Sequence, residues 1–254
     1  IFQPAEEGGG GGLEMCKDGI MENFKIDEVY GMHNWPGVEL GKFAIRSGPF
    51  FAASDFIEAT ISGKGGHAAK PHETVDPTVI ASQIVVALQI IASRRADPVE
   101  QVVVSITSFE TSSTAFNVIP QEVKIKGTVR TLDPDVRDLA EKEFLRITEL
   151  TAEAMGGSAD AKFTRGYPVM SNSSEQTEFA AKVARDVAGE CAEAPLVMGG
   201  EDFAYMLEER PGAYILLGNG DSSPVHHPKY NFNDDAIPFG CSWLVELVEQ
   251  KMPA

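Results

Sequence analysis

The first part of the chain changes from a helical to a strand-like spacing of apolar residues. Apolar side chains recur every three or four positions over residues 12–23, which predicts a helix. Two short apolar runs, Val29–Trp35 and residues 41–46, predict strands. A helix followed by buried strands indicates the beginning of an α/β domain.

A different rhythm begins near Ser54, where apolar and polar residues alternate as in a half-buried strand. The elements predicted from there on are a strand over residues 55–62, a helix over 76–95, strands over 101–109 and 122–132, a helix over 133–155 and a strand over 161–167. This succession is the split βαβ pattern of a ferredoxin-like α+β sheet.

The helical pattern returns over residues 175–189, and a strand over 213–217 and a C-terminal helix over 237–251 follow it. We therefore predict an inserted domain over residues 48–167. It interrupts an α/β domain formed by residues 1–47 and 168–254.

Charge and composition exclude several classes of partner. The formal net charge is −17, with 38 acidic against 21 basic residues, and such a chain repels nucleic acid and anionic lipid surfaces. The longest apolar helical candidate, residues 78–93, is shorter than the ~20 residues of a membrane span. Cys16, Cys191 and Cys241 are too few for a disulfide framework, which fits a reducing cytoplasm. The apolar opening Ile1–Pro4 is expected to begin inside a folded domain.

Candidate chemistry is concentrated in a few short motifs. All five histidines lie in three of them: His33 in the first, His67 and His72 in the second, and His226 and His227 in the third. The pair Glu6 and Glu7 follows an apolar run and precedes a glycine tract, which places it at the strand-to-helix turn where α/β sheets bind ligands. Adjacent carboxylates at such a turn point in different directions, so one could bind a metal while the other acts on a bound water.

Several of these features also have simpler interpretations. An exposed Glu pair is usually a solvated turn, and a single histidine is usually packed or capping. The glycine tract at residues 8–12 is not followed by Lys-Ser or Lys-Thr, so it is not a phosphate cradle. Asp202 is expected to cap a helix that begins near Phe203, and His72 and His227 are expected to be structural.

Six motifs, in order along the chain, carry a more specific signal: QPAEEGGG at residue 3, GMHN at 31, GKGGHAA at 63, NVIP at 117, GTVRT at 127 and MGGEDF at 198. Together they resemble the amidohydrolase branch of the metallo-aminoacylase and carboxypeptidase family. That branch includes hippurate hydrolases, auxin-conjugate hydrolases and N-acetyl-amino-acid deacetylases. The resemblance extends from Ile1 to the C-terminal helix.

The resemblance implies a metallopeptidase-like catalytic domain, partial in this chain, with a two-metal site and an inserted lid domain over residues 48–167 that also forms a homodimer. The substrate it implies is a small N-acyl amino acid, cleaved by metal-activated water. Mn, Zn, Co or Ni would suit the nitrogen and oxygen ligands.

The roles implied by the resemblance are as follows. Glu6 resembles the general base, and Glu7, His33 and His226 resemble metal ligands. His226 is preferred to His227 because the family's ligand lies two residues before a proline, here Pro228. His67 resembles a lid residue that stabilises the oxyanion in the partner's active site. Asn117 and Arg130 resemble lid residues that hold the substrate carboxylate, and Glu201 is a possible pocket residue.

One expected element of the family is missing. A Cys-x-His or His-x-Asp segment upstream of Glu6 should supply the remaining metal ligands, and the 254 residues contain no substitute for it. We therefore expect this chain alone to hold metal weakly or not at all. Two other functions stay open at this point: a dipeptidase or carboxypeptidase of the same family, and, for this chain by itself, a non-catalytic dimerisation or binding module.

Overall fold

A computed structural model describes residues 1–252. The α-helices are α1 Gly11–Lys17, α2 Ile20–Asn23, α3 Pro77–Leu88, α4 Pro134–Ala154, α5 Ser174–Ala188, α6 Ala204–Glu209 and α7 Ile237–Lys251. The strands are β1 Val29–Trp35, β2 Phe43–Ile45, β3 Gly48–Phe51, β4 Ala53–Ser62, β5 Gly66–His67, β6 Val102–Thr111, β7 Val118–Ile119, β8 Glu122–Thr131, β9 Ser158–Thr164, β10 Met170–Asn172, β11 Cys191–Glu193 and β12 Gly212–Gly218.

The chain forms two compact units. The first consists of Ile1–Phe51, Met170–Val197 and Glu201–Ala254, and the second consists of Ala52–Val169 and Met198–Gly200.

The first unit is built on a mixed sheet in the order β1-β12-β2-β11, in which β1 and β12 are parallel. Helices α5 and α7 cover one face, where Trp243 is fully buried and its indole N–H donates to Ala180 O at 3.2 Å. The other face packs against Met21, Phe203 and Met206. Because helices cover both faces, the predicted α/β class is confirmed for this unit.

In the second unit the sheet order is β6-β8-β4-β9, and every neighbouring pair is antiparallel. Its elements follow one another as strand, helix, strand, strand, helix, strand, with the two-residue strands β5 and β7 as additions. Helices α3 and α4 pack on one face of the sheet around Ile61, Ile84 and Phe144. On the other face Phe56 stays exposed.

Helix α3 ends earlier than the sequence pattern predicts. The predicted helix over residues 76–95 begins as expected, with the Asp76 carboxylate accepting from Thr78 N at 2.8 Å. It stops at Leu88, and Ile91–Arg95 forms a π-turn closed by Ala96 N to Ile91 O. Pro98, two residues further on, disfavours continuation of the helix.

Among the described residues, Pro77–Arg95 is the one helical stretch that is long and apolar enough to cross a membrane by length and composition. It is 19 residues long, so the longest apolar helix predicted from the sequence, residues 78–93, was too short. One side of it, with Ile80, Ile84 and Leu88, belongs to the core of the second unit.

Candidate active site

Glu6 and Glu7 lie in a tight turn before α1. The apolar segment Ile1–Pro4 was expected to be the end of a strand, but it is irregular in the structure, so that expectation was wrong. No strand of the described chain pairs with it, and an isolated extended segment lacks the ladder hydrogen bonds that define a strand. Ala5 has a φ of 55° and turns the chain. As a result Glu6 lines a cavity, and the side chain of Glu7 is 77% exposed.

The cavity beside Glu6 has a volume of about 740 Å³ and lies in the first unit. Its polar lining includes Glu6, His33 and Glu201, and its apolar walls include Phe203 and Met206. The register of β1 with β12 sets His33 opposite Leu216, and the ring of Tyr214 lies at 6.5 Å from that of His33. The motifs that contain Glu6, His33 and Glu201, far apart in sequence, therefore converge on one concave site.

Glu6, Glu201 and Asp202 form a close group of carboxyl groups. A ligand atom of each lies within 4.8 Å of the others, and in residues 1–252 this is the only such group of three potential metal-binding side chains. The predicted ligands Glu7, His33 and His226 do not form a group this tight.

Two members of the carboxyl group are held by the protein itself. The oxygens of Glu201 accept from Phe203 N at 3.1 Å and from the Tyr214 hydroxyl at 2.7 Å. Those of Asp202 accept from Gly12 N at 2.8 Å and from the Gln3 amide. Every oxygen of Glu201 and Asp202 thus accepts from a protein donor, which fixes both side chains beside Glu6.

The role expected for Asp202 was wrong. It was predicted to cap the helix near Phe203, but α6 has no side-chain cap, and the Phe203 N–H is bound by Glu201 instead. Asp202 fixes the start of α1 by accepting from Gly12 N, 190 residues earlier in the chain. A partner so distant in sequence leaves no local pattern.

Crowding of carboxyl groups changes their acidity. Burial, reinforced by repulsion from Glu201, Glu7 and Asp202, raises the pKa of Glu6 to about 7. Burial also raises the pKa of Glu201, and the Tyr214 hydrogen bond opposes this. A carboxyl group with a pKa near neutrality is suited to taking up and releasing a proton during a reaction.

The imidazole of His33 is held in a defined tautomer. Its Nδ1 lies 2.6 Å from the backbone carbonyl oxygen of Asn34, and a carbonyl can only accept. The proton of the neutral ring is therefore on Nδ1, and Nε2 has the free lone pair. This is the arrangement found when a histidine binds a metal through Nε2.

His226 lies next to Glu7, with its Nε2 at 3.8 Å from Glu7 Oε1, and both side chains are mostly exposed. His226 has a φ of 65°, a left-handed conformation that is uncommon for residues other than glycine. His227 has a different role, because its Nδ1 accepts from Lys229 N at 3.1 Å within the same turn. The structure thus separates an imidazole that faces a carboxylate from one that closes a turn.

The residues present fit a divalent metal by their chemistry. Glu7 and His226 lie together, His33 presents a free Nε2 on the neighbouring cavity, and one oxygen with two nitrogen donors suits Mn, Zn, Co or Ni. Three side chains are too few to saturate two ions of this kind.

In the second unit, the structure brings His67 and Asn117 together. His67 is paired with Val118 across the ribbon of β5 and β7, and Ala68 N donates to Asn117 O at 3.0 Å. The Nδ1 of His67 accepts from Ala69 N at 3.1 Å, so the proton of the neutral ring is on Nε2. His67 is exposed, and its N–H is available as a donor.

Arg130 and Arg137 of the second unit have different surroundings. Arg137 is buried and donates to both oxygens of Asp55, at 2.5 and 3.0 Å, so it is structural. Arg130 is half-buried and donates to Thr128 Oγ1 and to Val129 O. Burial lowers the pKa of Arg130. With no carboxylate hydrogen bond of its own among the described residues, Arg130 is the better candidate for an anionic ligand.

Sequence reasoning missed Tyr214. It is the one side chain with a hydroxyl in the buried strand β12, and buried tyrosines need a hydrogen-bond partner. That single polar group in an apolar run was the available signal. Its acceptor, Glu201, lies 13 residues earlier, beyond the reach of any local pattern.

Proteins of known name are similar in sequence to nearly the whole of this chain. N-acetyl-L-cysteine deacetylase of Bacillus subtilis is 37% identical over 250 residues, which cover 98% of this chain and 59% of the relative. Hippurate hydrolase of Campylobacter jejuni is 38% identical over 252 residues, which cover 97% of this chain and 65% of the relative. The chain thus spans about three fifths to two thirds of the length of these relatives.

The fold is similar to that of a Bacillus subtilis protein described as a dinuclear metal binding peptidase from the M20 family. The two superpose with a TM-score of 0.84 and 29% identity, covering 99% of this chain and 64% of the other. The resemblance inferred from the motifs is confirmed, since the family model of peptidase family M20/M25/M40 matches residues 1–250. The chain belongs to peptidase family M20/M25/M40.

Proposed function

We propose that this protein is a metal-dependent amidohydrolase that cleaves the amide bond of N-acyl amino acids. The observation that carries the proposal is the convergence of Glu6, a carboxyl group with a pKa raised to about 7, and His33, with its Nε2 free, on one cavity. The deacetylase and the hippurate hydrolase described above act on substrates of this class, as their names state.

In the proposed site, Glu7, His33 and His226 would hold divalent metal, and these three side chains would need further ligands to complete a two-ion site. When bound, such ions lower the pKa of a water molecule and polarise the amide carbonyl. Glu6 takes a proton from the attacking water and delivers it to the leaving amino group. Tyr214 and Phe203 N hold Glu201, which keeps its carboxyl group in place beside Glu6.

We further propose that the second unit is a lid that also forms a homodimer. His67 would donate its Nε2–H to the oxyanion in the active site of the partner subunit, and Asn117 and Arg130 would bind the substrate carboxylate. Support for a dimer comes from helix α3, whose Val79 and Val86 are 51% and 66% exposed. Apolar side chains on the outer side of a helix are suited to packing against a second copy.

The substrate class is tested by incubating the whole protein and Mn²⁺ with a panel of amides and measuring the released amino acid. N-benzoylglycine and N-acetyl-L-cysteine represent N-acyl amino acids, and glycylglycine represents dipeptides. We expect release from the first two and little from the third. Release from glycylglycine alone would favour a dipeptidase of the same family, and release from none would favour a binding module.

The two adjacent histidines provide a matched test of the metal site. His226→Ala is expected to weaken Mn²⁺ binding by at least about 10-fold. Removing only a group that hydrogen-bonds to a metal ligand already lowers metal affinity by about this factor, and His226 is proposed to be a ligand itself. His227→Ala is the control, because His227 binds Lys229 N within its own turn. Isothermal titration calorimetry measures both affinities. An affinity of His226→Ala equal to that of the unchanged protein would remove His226 from the proposed ligands.

A further inference from the structure

The loop that contains His226 is fastened to the strand that contains His33. This loop, residues 219–233, follows β12. At its base, the buried Asn219 donates to Asn231 O and accepts from Asn233 N, at 2.9 and 2.8 Å. Asn219 N also donates to Trp35 O at the end of β1. These bonds hold the two ends of the loop close to β1. They do not fix the middle of the loop, which contains His226.

Tyr230 supplies a further contact to β1. Its hydroxyl donates to Asn34 Oδ1 at 2.8 Å, across 196 residues of sequence. Within residues 1–252 this is the one hydrogen bond that the Asn34 side chain makes, because its Nδ2 is buried and has no partner. The orientation of the Asn34 side chain therefore depends on Tyr230.

Asn34 in turn holds the ring of His33. Its backbone carbonyl accepts from His33 Nδ1 at 2.6 Å, which leaves Nε2 free. Asn34 lies one residue before the end of β1, so we expect that loss of the Tyr230 bond lets this residue shift and loosens the bond from its carbonyl to His33. A released imidazole favours the opposite tautomer. A histidine that binds metal depends on such a partner for its tautomer and orientation.

The same tyrosine closes the turn that presents His226. Tyr230 N donates to His227 O at 2.8 Å, and His227 N donates to Pro224 O at 3.2 Å. Between these bonds His226 holds its left-handed φ of 65°, a conformation that persists only where its surroundings enforce it. The side chain of Tyr230 thus reaches the strand of His33, while its backbone closes the turn of His226.

We propose that Tyr230 is a positioning residue that couples the His226 loop to His33 through Asn34, so that both imidazoles are set for one metal site. The inference rests on the proposed function for its metal-binding consequence. The hydrogen-bond chain itself is independent of that function.

The decisive variant is Tyr230→Phe, which removes the hydroxyl and keeps the ring. It should weaken Mn²⁺ binding about 10- to 100-fold, the usual cost of losing a partner that orients a ligand. Asn34→Ala should have a similar effect. The double variant should bind Mn²⁺ with about the same affinity as the single variant that binds it more weakly, because the two residues act through one bond. Tyr30→Phe is the control: its hydroxyl, also on β1, donates to Glu28 at 2.7 Å.

A second readout needs no metal. Long-range ¹H–¹⁵N spectra of the metal-free protein at high pH, with His33 assigned by a His33→Gln variant, report which ring nitrogen carries the proton. We expect Nδ1–H in the unchanged protein and in Tyr30→Phe, and a shift towards Nε2–H in Tyr230→Phe and Asn34→Ala. Circular dichroism melting curves identify any variant that fails to fold. If one of Tyr230→Phe and Asn34→Ala does not fold, the spectrum of the other one tests the proposal.

The outcomes separate the two proposals. If the whole protein without substitutions binds no Mn²⁺, the proposed function fails, and the spectra still decide the hydrogen-bond chain. An unaltered His33 tautomer in folded Tyr230→Phe and Asn34→Ala would overturn the positioning role. An altered tautomer with unchanged Mn²⁺ affinity would overturn its coupling to the metal site.

Discussion

Replacing Glu6 with Gln is expected to lower kcat for N-benzoylglycine hydrolysis by about 10² to 10⁴, the usual contribution of a general base. Gln has nearly the same size as Glu and fits the same cavity, but it does not accept a proton from water. Metal content should stay close to that of the unchanged protein, because Glu6 is proposed to act on the substrate water and not as a ligand. Steady-state kinetics and elemental analysis measure the two quantities.

Glu14→Gln is the matched control for this experiment. Glu14 lies eight residues further on in α1 and pairs with Lys17 at 2.8 Å on the surface. Its loss should leave kcat within a factor of about two, because surface ion pairs contribute little. Near-normal turnover of Glu6→Gln would contradict the assignment of the general base.

His67→Ala is expected to lower kcat by about 10² to 10³, the cost of removing one oxyanion donor. The reason lies in its tautomer, since Ala69 N occupies Nδ1 and leaves Nε2–H as the donor. Binding of Mn²⁺ should be unchanged, because His67 belongs to the second unit and is not a proposed ligand. His72→Ala is the control, since His72 is exposed and lies only five residues away. It should keep normal kinetics.

Subunit mixing tests whether His67 acts in its own chain or in the partner. Inactive His67→Ala and inactive Glu6→Gln proteins are mixed in equal amounts and allowed to exchange subunits. Random exchange gives about a quarter of the sites an intact Glu6 and an intact His67 from the other chain. Recovery of about a quarter of the activity supports the shared site. Demonstrated exchange without recovery would show that His67 does not act across the dimer.

The elements with a long, regular pattern were predicted well. Strand Val29–Trp35 and helix Ile237–Lys251 have the predicted boundaries. The helix buries Gly240, Trp243 and Leu247, whose helical spacing is visible in the sequence. The predicted helix over residues 12–23 is split into α1 and α2 by Gly19, which has a φ of 78°. Glycine adopts that conformation without strain, and helical spacing of the flanking residues does not reveal it.

Elements that depend on distant partners were missed. Strand Cys191–Glu193 is three residues long and has no alternation of its own, and it exists through its pairing with Phe43–Ile45. Strand β9 was predicted over residues 161–167 but is Ser158–Thr164. The Gly166 N–H, which would extend that strand, donates to Asp55 at 3.0 Å instead.

Within the site, the motifs identified which residues to examine but not how they are held. Glu6, His33 and Glu201 were candidates from sequence, and the structure brings them to one cavity. The bonds from Tyr214 to Glu201 and from Tyr230 to Asn34 were not predictable, because residues so far apart meet only after the sheet has formed. The roles of Glu7, Asn117 and Arg130 in binding metal and substrate stay predictions.

Metal-dependent hydrolysis is tested most directly by removing and restoring the metal in an assay of N-benzoylglycine hydrolysis. The whole protein is treated with a chelator, freed of it by dialysis, and assayed for released glycine before and after addition of Mn²⁺. We expect loss of glycine release on chelation, recovery on addition of Mn²⁺, and no recovery for Glu6→Gln at the same metal content. Glycine release that persists unchanged in the chelated protein would contradict metal-dependent hydrolysis.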